Sequence, residues 1–317
     1  MVRDNTESRG NIKIGGYDMK KRLSKFLSMI LIAALIVTSF VSFSEADKIS
    51  AAEEIKVFVT IADDTGKQVV KQKTVEVTDV DADGALTICD ALYCAHEKYY
   101  NGGAEAGFGA DVHPEFGLSL YKLWGIENGG SYGYMVNDAY AWNLADPVQN
   151  GDQVNAFCYV DAGYSDKYTF FNKRVKSVHE GKTVKLRLCY IEWDYMTGEA
   201  KSVPFAGASV TVNGIASGLV TNENGYVKIP AVACGSFYVS AESSDQVIVA
   251  PACVAFVQPY KGETIEVKDK KYTVVKNGKV STGKKGKVTF SKSANGGKTS
   301  PKTIEYAGVT YKVKVVD

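Results

Sequence analysis

A mainly β protein with one α+β domain is what this sequence predicts, and three observations carry the prediction. Short stretches alternate apolar and polar side chains from Ile55–Ile61 to Thr303–Val316, the period of a half-buried strand. Only one stretch has a helical period, where Ile88, Ala91, Leu92, Ala95 and Tyr99 fall at i, i+3, i+4, i+7 and i+11. Turn residues, Asn-Gly pairs among them, punctuate the alternating stretches at about ten-residue spacing, as short antiparallel strands require.

Taken in order, Ile55–Ile61 is a strand, Asp63-Asp64-Thr65-Gly66 a turn, and Lys67–Val77 a second strand. The helix follows and ends at Asn101-Gly102-Gly103. His96 sits beside its apolar face and is expected on the helix surface. A glycine- and aromatic-rich segment comes next, with Gly107-Phe108-Gly109, His113-Pro114, Gly117 and Leu118–Trp124. Tyr132–Asn137 reads as a strand turning at Asn137-Asp138. Asn150-Gly151-Asp152 leads into the strand Gln153–Val160, and Tyr168–Phe171 is expected as the last edge. Two strands, a helix and three strands describe a β-grasp-like unit over 53–172.

Between the second strand and the helix lies Asp79-Val80-Asp81-Ala82-Asp83-Gly84-Ala85-Leu86-Thr87-Ile88-Cys89-Asp90. Oxygen donors at positions 1, 3, 5, 7, 9 and 12 with glycine at 6 are the spacing by which one loop wraps a hard cation. The candidate calcium ligands are therefore Asp79, Asp81, Asp83, the Ala85 carbonyl, Thr87 (through water) and Asp90. Position 12 is an Asp where a longer Glu closes such loops bidentately. An acidic turn is the plain alternative. The stretch resembles the calcium loop of EF-hand and dockerin proteins, in a single copy and without an incoming helix.

A second series, Val184–Tyr190, Pro204–Gly214, Gly218–Pro230, Gly235–Ala241 and Gln246–Val257, predicts a β-sandwich over 179–257. From 258 to 317 the composition turns to Lys, Gly, Ser and Thr. There Lys271–Val280 turns at Asn277-Gly278, and Thr303–Val316 forms a hairpin around Ala307-Gly308. This end is read as a basic β-hairpin tail, or else a weakly ordered one. The formal charge of +1 conceals an asymmetry: 19 Asp and Glu against 7 Lys over 53–172, and 14 Lys against 5 acids over 261–317. Such a tail points to an anionic partner, for instance a cell-wall polymer.

The pairing of Tyr134-Met135-Val136-Asn137 with Gly151-Asp152-Gln153-Val154, and the helix start Asp90-Ala91-Leu92, resemble the transcobalamin C-terminal-like domain. That resemblance implies a ligand-covering surface for a corrinoid such as cobalamin, with Trp124, Tyr132, Tyr134 and Trp142 offering flat stacking area for it or for a glycan. The alternative is that these aromatics are core. The strand series after residue 179 resembles the carboxypeptidase regulatory-like, transthyretin-type sandwich, whose implied role is a spacer.

Residues 19–52 read as a secretory signal: Lys20, Lys21, Arg22 and Lys25 precede the apolar run Phe26–Val41, and small residues follow it. A retained anchor is the alternative, though the run is short for a span of about 20 residues. Residues 1–18 fit no part of a signal, and the start is expected at Met19. The six cysteines match no zinc spacing, and in an exported chain they permit disulfides without specifying them.

No Gly-x-Ser-x-Gly elbow, His-Glu-x-x-His or P-loop is present. Cys94 and His96, two apart on a helix, point away from each other. The expectation is a non-catalytic, extracellular, modular protein that binds calcium and recognises a small flat ligand or glycan. It needs no nucleic acid and no stable transmembrane anchor. The rival is a structural surface protein with calcium as stabiliser only.

Overall fold

The computed structural model describes residues 54–316 except 130, 162, 195, 281 and 282. The expected signal segment and the start at Met19 lie outside the described residues. No described helix is long and apolar enough to cross a membrane. The protein is mainly β with one α+β domain, as expected.

The first domain opens on β1 (Ile55–Ala62) and β2 (Gln68–Val77), an antiparallel hairpin. Helix α1 (Ile88–Tyr99) and the short α2 (Gly103–Gly107) follow, then a two-stranded ribbon of β3 (Gly109–His113) and β4 (Gly117–Lys122). Strands β5 (Tyr132–Val136), β6 (Ala139–Tyr140) and β7 (Gln153–Cys158) complete one sheet in the order β2-β1-β7-β5-β6, with β1 and β7 parallel at its centre. Central parallel strands are buried on both faces, and every residue of β7 is buried. The α1 face predicted by its period, Ile88, Ala91, Leu92 and Ala95, is fully buried against Val57, Val59, Val75 and Val154.

The sandwich begins earlier than the sequence suggests. Strand β8 (Lys167–Phe171), expected at the edge of the first domain, pairs instead with β10 (Thr183–Asp194), Leu188 opposite Phe171. After it, β9 (Val175–His179) pairs with β17 (Cys253–Gln258). The other strands are β11 (Glu199–Pro204), β12 (Ser209–Val212), β13 (Ile215–Val220), β14 (Tyr226–Pro230), β15 (Gly235–Glu242) and β16 (Ile248–Val249). One sheet runs β11-β10-β8-β16 with β14 also on β10, the other β13-β12-β15-β17-β9. Their inner faces share one core, in which Val184, Leu186 and Leu188 of β10 alternate inward and meet Val239, Ala241, Ala255 and Val257.

The C-terminal segment is a folded module and not a tail. Strands β18 (Thr264–Val267), β19 (Lys270–Lys276), β20 (Gly286–Ser291), β21 (Thr303–Tyr306) and β22 (Val309–Val316) form a sheet in the order β18-β19-β20-β22-β21, with β20 and β22 parallel. Tyr272, Val274, Val288, Phe290, Ile304 and Tyr311 close its own core. Period-two alternation puts these side chains inside and the intervening lysines outside, so a strongly basic composition still leaves enough apolar surface to bury.

The modules are stitched together. Gln68 donates to the Ala250 carbonyl at 2.8 Å and accepts from Tyr238 OH at 2.8 Å. Ala62, Met135 and Phe157 of the first domain share an apolar cluster with Tyr168, Val249 and Ile191 of the sandwich. Further on, Gln258 donates to Ala307 O, and Gly308, at φ 70, lies where a Cβ would stand 2.3 Å from the Phe256 ring. Only glycine meets both demands there.

Candidate binding cleft and cation loop

The loop 141–148 is the key to the site, because it is rigid and yet displays a tryptophan. Leu144 is buried in the core, and Val148 nearly so. Backbone bonds tie the loop to β4 (Leu144 N to Leu118 O, 2.8 Å) and to the start of α1 (Ile88 N to Asp146 O, 3.0 Å; Cys89 N to Leu144 O, 2.9 Å). Asp146 accepts from the Trp142 N–H at 2.8 Å, and Asn143 from that of Ala145 at 2.7 Å. On this stitched backbone Trp142 stands 79% exposed.

Trp142 borders an open cleft of about 480 Å³. Phe116, Tyr132, Tyr134, Tyr140, Tyr159 and Tyr164 line it with Trp142. Phe116 is 64% and Tyr164 58% exposed. Tyr159 and Tyr164 meet edge to face at 5.3 Å, and His113 stacks on Phe116 at 4.7 Å. Tyr132 is fixed by its hydroxyl, which accepts from the Asn128 N–H at 3.1 Å and lies 2.7 Å from the Ile126 carbonyl. Burial raises the phenols of Tyr132 and Tyr134 above their ordinary range and pushes Tyr159 up to about 12. All three are therefore neutral hydroxyls at neutral pH. Among the described lining residues there is no Asp, Glu, Lys or Arg.

Of the four aromatics singled out in the sequence, Tyr132, Tyr134 and Trp142 converge on this cleft. Trp124 does not line it. With Gly125 it makes the turn between Leu123 and Ile126, at φ 53 and 79, as a type I′ turn demands. Its indole packs on Tyr100 at 4.9 Å and on His96 at 5.2 Å. Phe116, Tyr140, Tyr159 and Tyr164 were not foreseen, because nothing local in the sequence says which strand ends will meet.

His96 is not at the helix surface. It is fully buried beneath Phe108, Tyr100 and Trp124. Burial pushes its imidazole down to about 4.

In the acidic loop the structure brings Asp79, Asp81 and Asp83 together, each with a carboxylate oxygen within 4.8 Å of the others. Oxygens bound to one calcium at 2.3–2.6 Å lie no farther apart than about twice that, so the three fit a shared divalent cation. Gly84 at φ 89 turns the chain, and its N–H donates to Asp79 Oδ2 at 2.9 Å. Burial, then the charges of Asp83 and Asp90, raise the Asp81 carboxyl.

Asp90 and Thr87 are differently employed. Asp90 is 2% exposed and accepts from the N–H of Val80 (3.0 Å), the N–H of Thr87 (2.8 Å) and the Thr87 hydroxyl (2.7 Å). The two residues form a capping box at the start of α1, and Asp90 is not part of the three-carboxylate group.

All six cysteines are free thiols. No family model matches the chain, and no curated protein matches it. Among solved structures, the ectodomain of the teleost fish polymeric Ig receptor is similar over 45% of this chain and 60% of that chain, at 13% identity and a TM-score of 0.18. Likeness of that order says nothing about a shared fold or ligand.

Proposed function

We propose that the chain is a non-catalytic, exported binding module whose aromatic cleft recognises a small uncharged ligand by stacking, either a flat corrinoid-like molecule or a glycan. The single observation that carries the reading is Trp142, held far out of the protein on a loop whose backbone is hydrogen-bonded at Trp142, Leu144, Ala145, Asp146 and Val148. Exposed indole costs solvation, and a rigid platform loses little entropy when a ligand lands on it. The element order of the first domain supports a kinship with transcobalamin C-terminal-like domains, and the sandwich, as a carboxypeptidase regulatory-like unit, would hold the cleft away from its anchorage.

Two further roles complete the proposal. Calcium, held by Asp79, Asp81 and Asp83 with the Ala85 carbonyl and water, would stabilise the loop before α1 without taking part in recognition. The lysine-rich C-terminal module would hold the protein at an anionic surface such as a wall polymer. Lys276 stands opposite Lys287, and Lys287 opposite Lys312, three like charges in one cross-strand row. Such a row is unfavourable unless something anionic meets it.

The test is binding to cyanocobalamin, haemin and a glycan array by the full exported chain and by Trp142→Ala. Binding by the native chain, weakened at least about tenfold by Trp142→Ala at an unchanged melting temperature, is the expected result. No binding to any probe at millimolar concentration would leave the purely structural reading standing.

A further inference from the structure

An aromatic contact leads from the cleft to the sandwich, although Trp193 is not among the cleft's lining residues. Trp193, on β10 of the sandwich, meets Tyr140 edge to face, with ring centroids 6.1 Å apart at 87°. The position is fixed by packing. Ile191, two residues earlier on the same face of the strand, packs in the cluster that joins the two domains, with Met135, Phe157 and Tyr168. Beyond Trp193 the β10–β11 hairpin is closed by Asp194, which accepts from the N–H of Met196 at 2.9 Å and of Thr197 at 3.3 Å. Trp193 pairs across the hairpin with the small Ala200 and is half-buried.

We propose that Trp193 is a distal subsite of the same cleft and that its ligand is a neutral oligosaccharide several sugar units long, running from Trp142 past Tyr140 to Trp193. This rests on the cleft being the recognition surface. Two observations select the ligand class. First, two of the three aromatic pairs at the cleft stand perpendicular, 82° for Tyr159 with Tyr164 and 87° for Tyr140 with Trp193, and the third, His113 on Phe116, is stacked ring on ring with no gap between its faces. A planar macrocycle is best gripped between parallel faces, whereas a row of separate faces at different tilts suits successive sugar rings, each stacking its C–H side on one aromatic. Second, the described lining carries no carboxylate, ammonium or guanidinium but does offer Ser119 and the neutral hydroxyls of Tyr134 and Tyr159. Hydroxyl partners suit a sugar. An anionic ligand would find no lysine or arginine in the described lining, in a domain with 19 acids against 7 lysines over 53–172.

The experiment uses the full exported chain and titrates di- and hexasaccharides of the cello, malto and chito series, a sulfated hexasaccharide, cyanocobalamin and haemin. A neutral hexasaccharide is expected to bind at least about tenfold more tightly than its disaccharide. Trp193→Ala should erase that gain and leave disaccharide binding unchanged, while Trp193→Phe should restore most of it and so exclude a mere loss of the hairpin. Trp142→Ala should weaken both lengths. Equal affinity for the two lengths, indifference of the hexasaccharide to Trp193→Ala, or tighter binding of the sulfated chain would each overturn the inference. Binding of cyanocobalamin or haemin alone, lost in Trp142→Ala, would overturn it while sparing the cleft as a recognition surface. If no probe binds, both readings fall together.

Discussion

The backbone N–H of Trp124 donates to Nε2 of His96 across 3.0 Å, while Nδ1 of the same ring lies 2.7 Å from the Leu92 carbonyl. Nε2 must therefore carry no proton and Nδ1 must carry one, which fixes a neutral imidazole of a single tautomer. A second proton would turn the Trp124 N–H from a partner into a competitor, inside a fully buried site. The contact also holds a bulky residue at φ 53, a conformation that costs about 1–2 kcal/mol without such support.

A pH dependence follows. The folded imidazole titrates at about 4, and an unfolded histidine at about 6.5. Below pH 6.5 the unfolded chain takes up a proton that the folded domain refuses, so stability falls as the pH drops. The loss should develop between pH 6.5 and 4 and reach about 3 kcal/mol, with no contribution above pH 7. Urea midpoints of the wild type and His96→Gln, compared across pH 4–8, isolate this component from carboxylate titration. The variant should be less stable at pH 7 but flatter toward acid. Parallel curves would show that His96 does not titrate with unfolding.

The same histidine shows how far the sequence can be read. The α1 period placed Ile88, Leu92 and Ala95 inside correctly, because a helix face is a local property. What covers His96 is not local: Phe108 and Trp124 arrive from later segments. Thr87 and Asp90 fit both a cation loop and a helix cap, and spacing alone cannot separate those uses. In the C-terminal module, Tyr272 and Val274 alternate legibly, but β20 pairs in parallel with β22 across a crossover, which no hairpin turn announces. Tyr132, Tyr134 and Trp142 were visible as aromatic candidates. That they share a cleft with Tyr164 depends on strand order, which the sequence leaves open.

The divided roles of the acidic loop can be tested by contrasting two variants. If Asp79, Asp81 and Asp83 hold calcium weakly, with Kd of about 10⁻⁴–10⁻³ M, then about 2 mM calcium stabilises the first domain by ~0.6–1.8 kcal/mol. The melting temperature should rise by a few degrees relative to chelator. Asp81→Ala with Asp83→Ala should remove that rise. Asp90→Ala should instead destabilise by about 1–3 kcal/mol with or without calcium, since it strips a buried cap of its acceptor. Identical melting of the wild type in calcium and chelator would reduce the loop to a turn.

The lysine row of the C-terminal module predicts salt-sensitive attachment. Retention on immobilised teichoic acid should fall steeply between low salt and about 0.5 M, as expected for exposed charges screened over a Debye length of about 10 Å at 0.1 M. Lys287 is the middle member, facing Lys276 on one side and Lys312 on the other. Lys287→Glu should therefore weaken retention more than a charge reversal at Lys298, on the loop outside the row. It should also raise stability slightly, by about 0.2–1 kcal/mol, because two like-charge contacts become attractive. Equal effects of the two reversals would argue for bulk charge and against a defined row.

The junction that brings Trp193 to the cleft should be sensitive to one side chain on the first domain. Asp138, at φ 64 in the turn after β5, accepts from Arg174 Nη2 at 2.8 Å and from Tyr168 OH at 2.9 Å. Its neighbour Asn137 takes Arg174 Nη1 at 2.8 Å. Arg174 and Tyr168 belong to the sandwich side, so these bonds join the domains around the apolar cluster of Phe157, Tyr168 and Ile191. Asp138→Asn keeps the turn, since Asn tolerates positive φ, and it can still accept from Tyr168. The amide has only one accepting oxygen, so the charge-assisted bond that Oδ2 accepts from Arg174 Nη2 is lost, at a cost of about 1–3 kcal/mol. That loss should fall on the coupling between the domains and not on either core. Calorimetry of the wild type should show the first domain and sandwich melting together, and of Asp138→Asn two separated transitions. A single transition shifted as a whole would mean that the apolar cluster alone fixes the orientation and that Asp138 contributes only to stability.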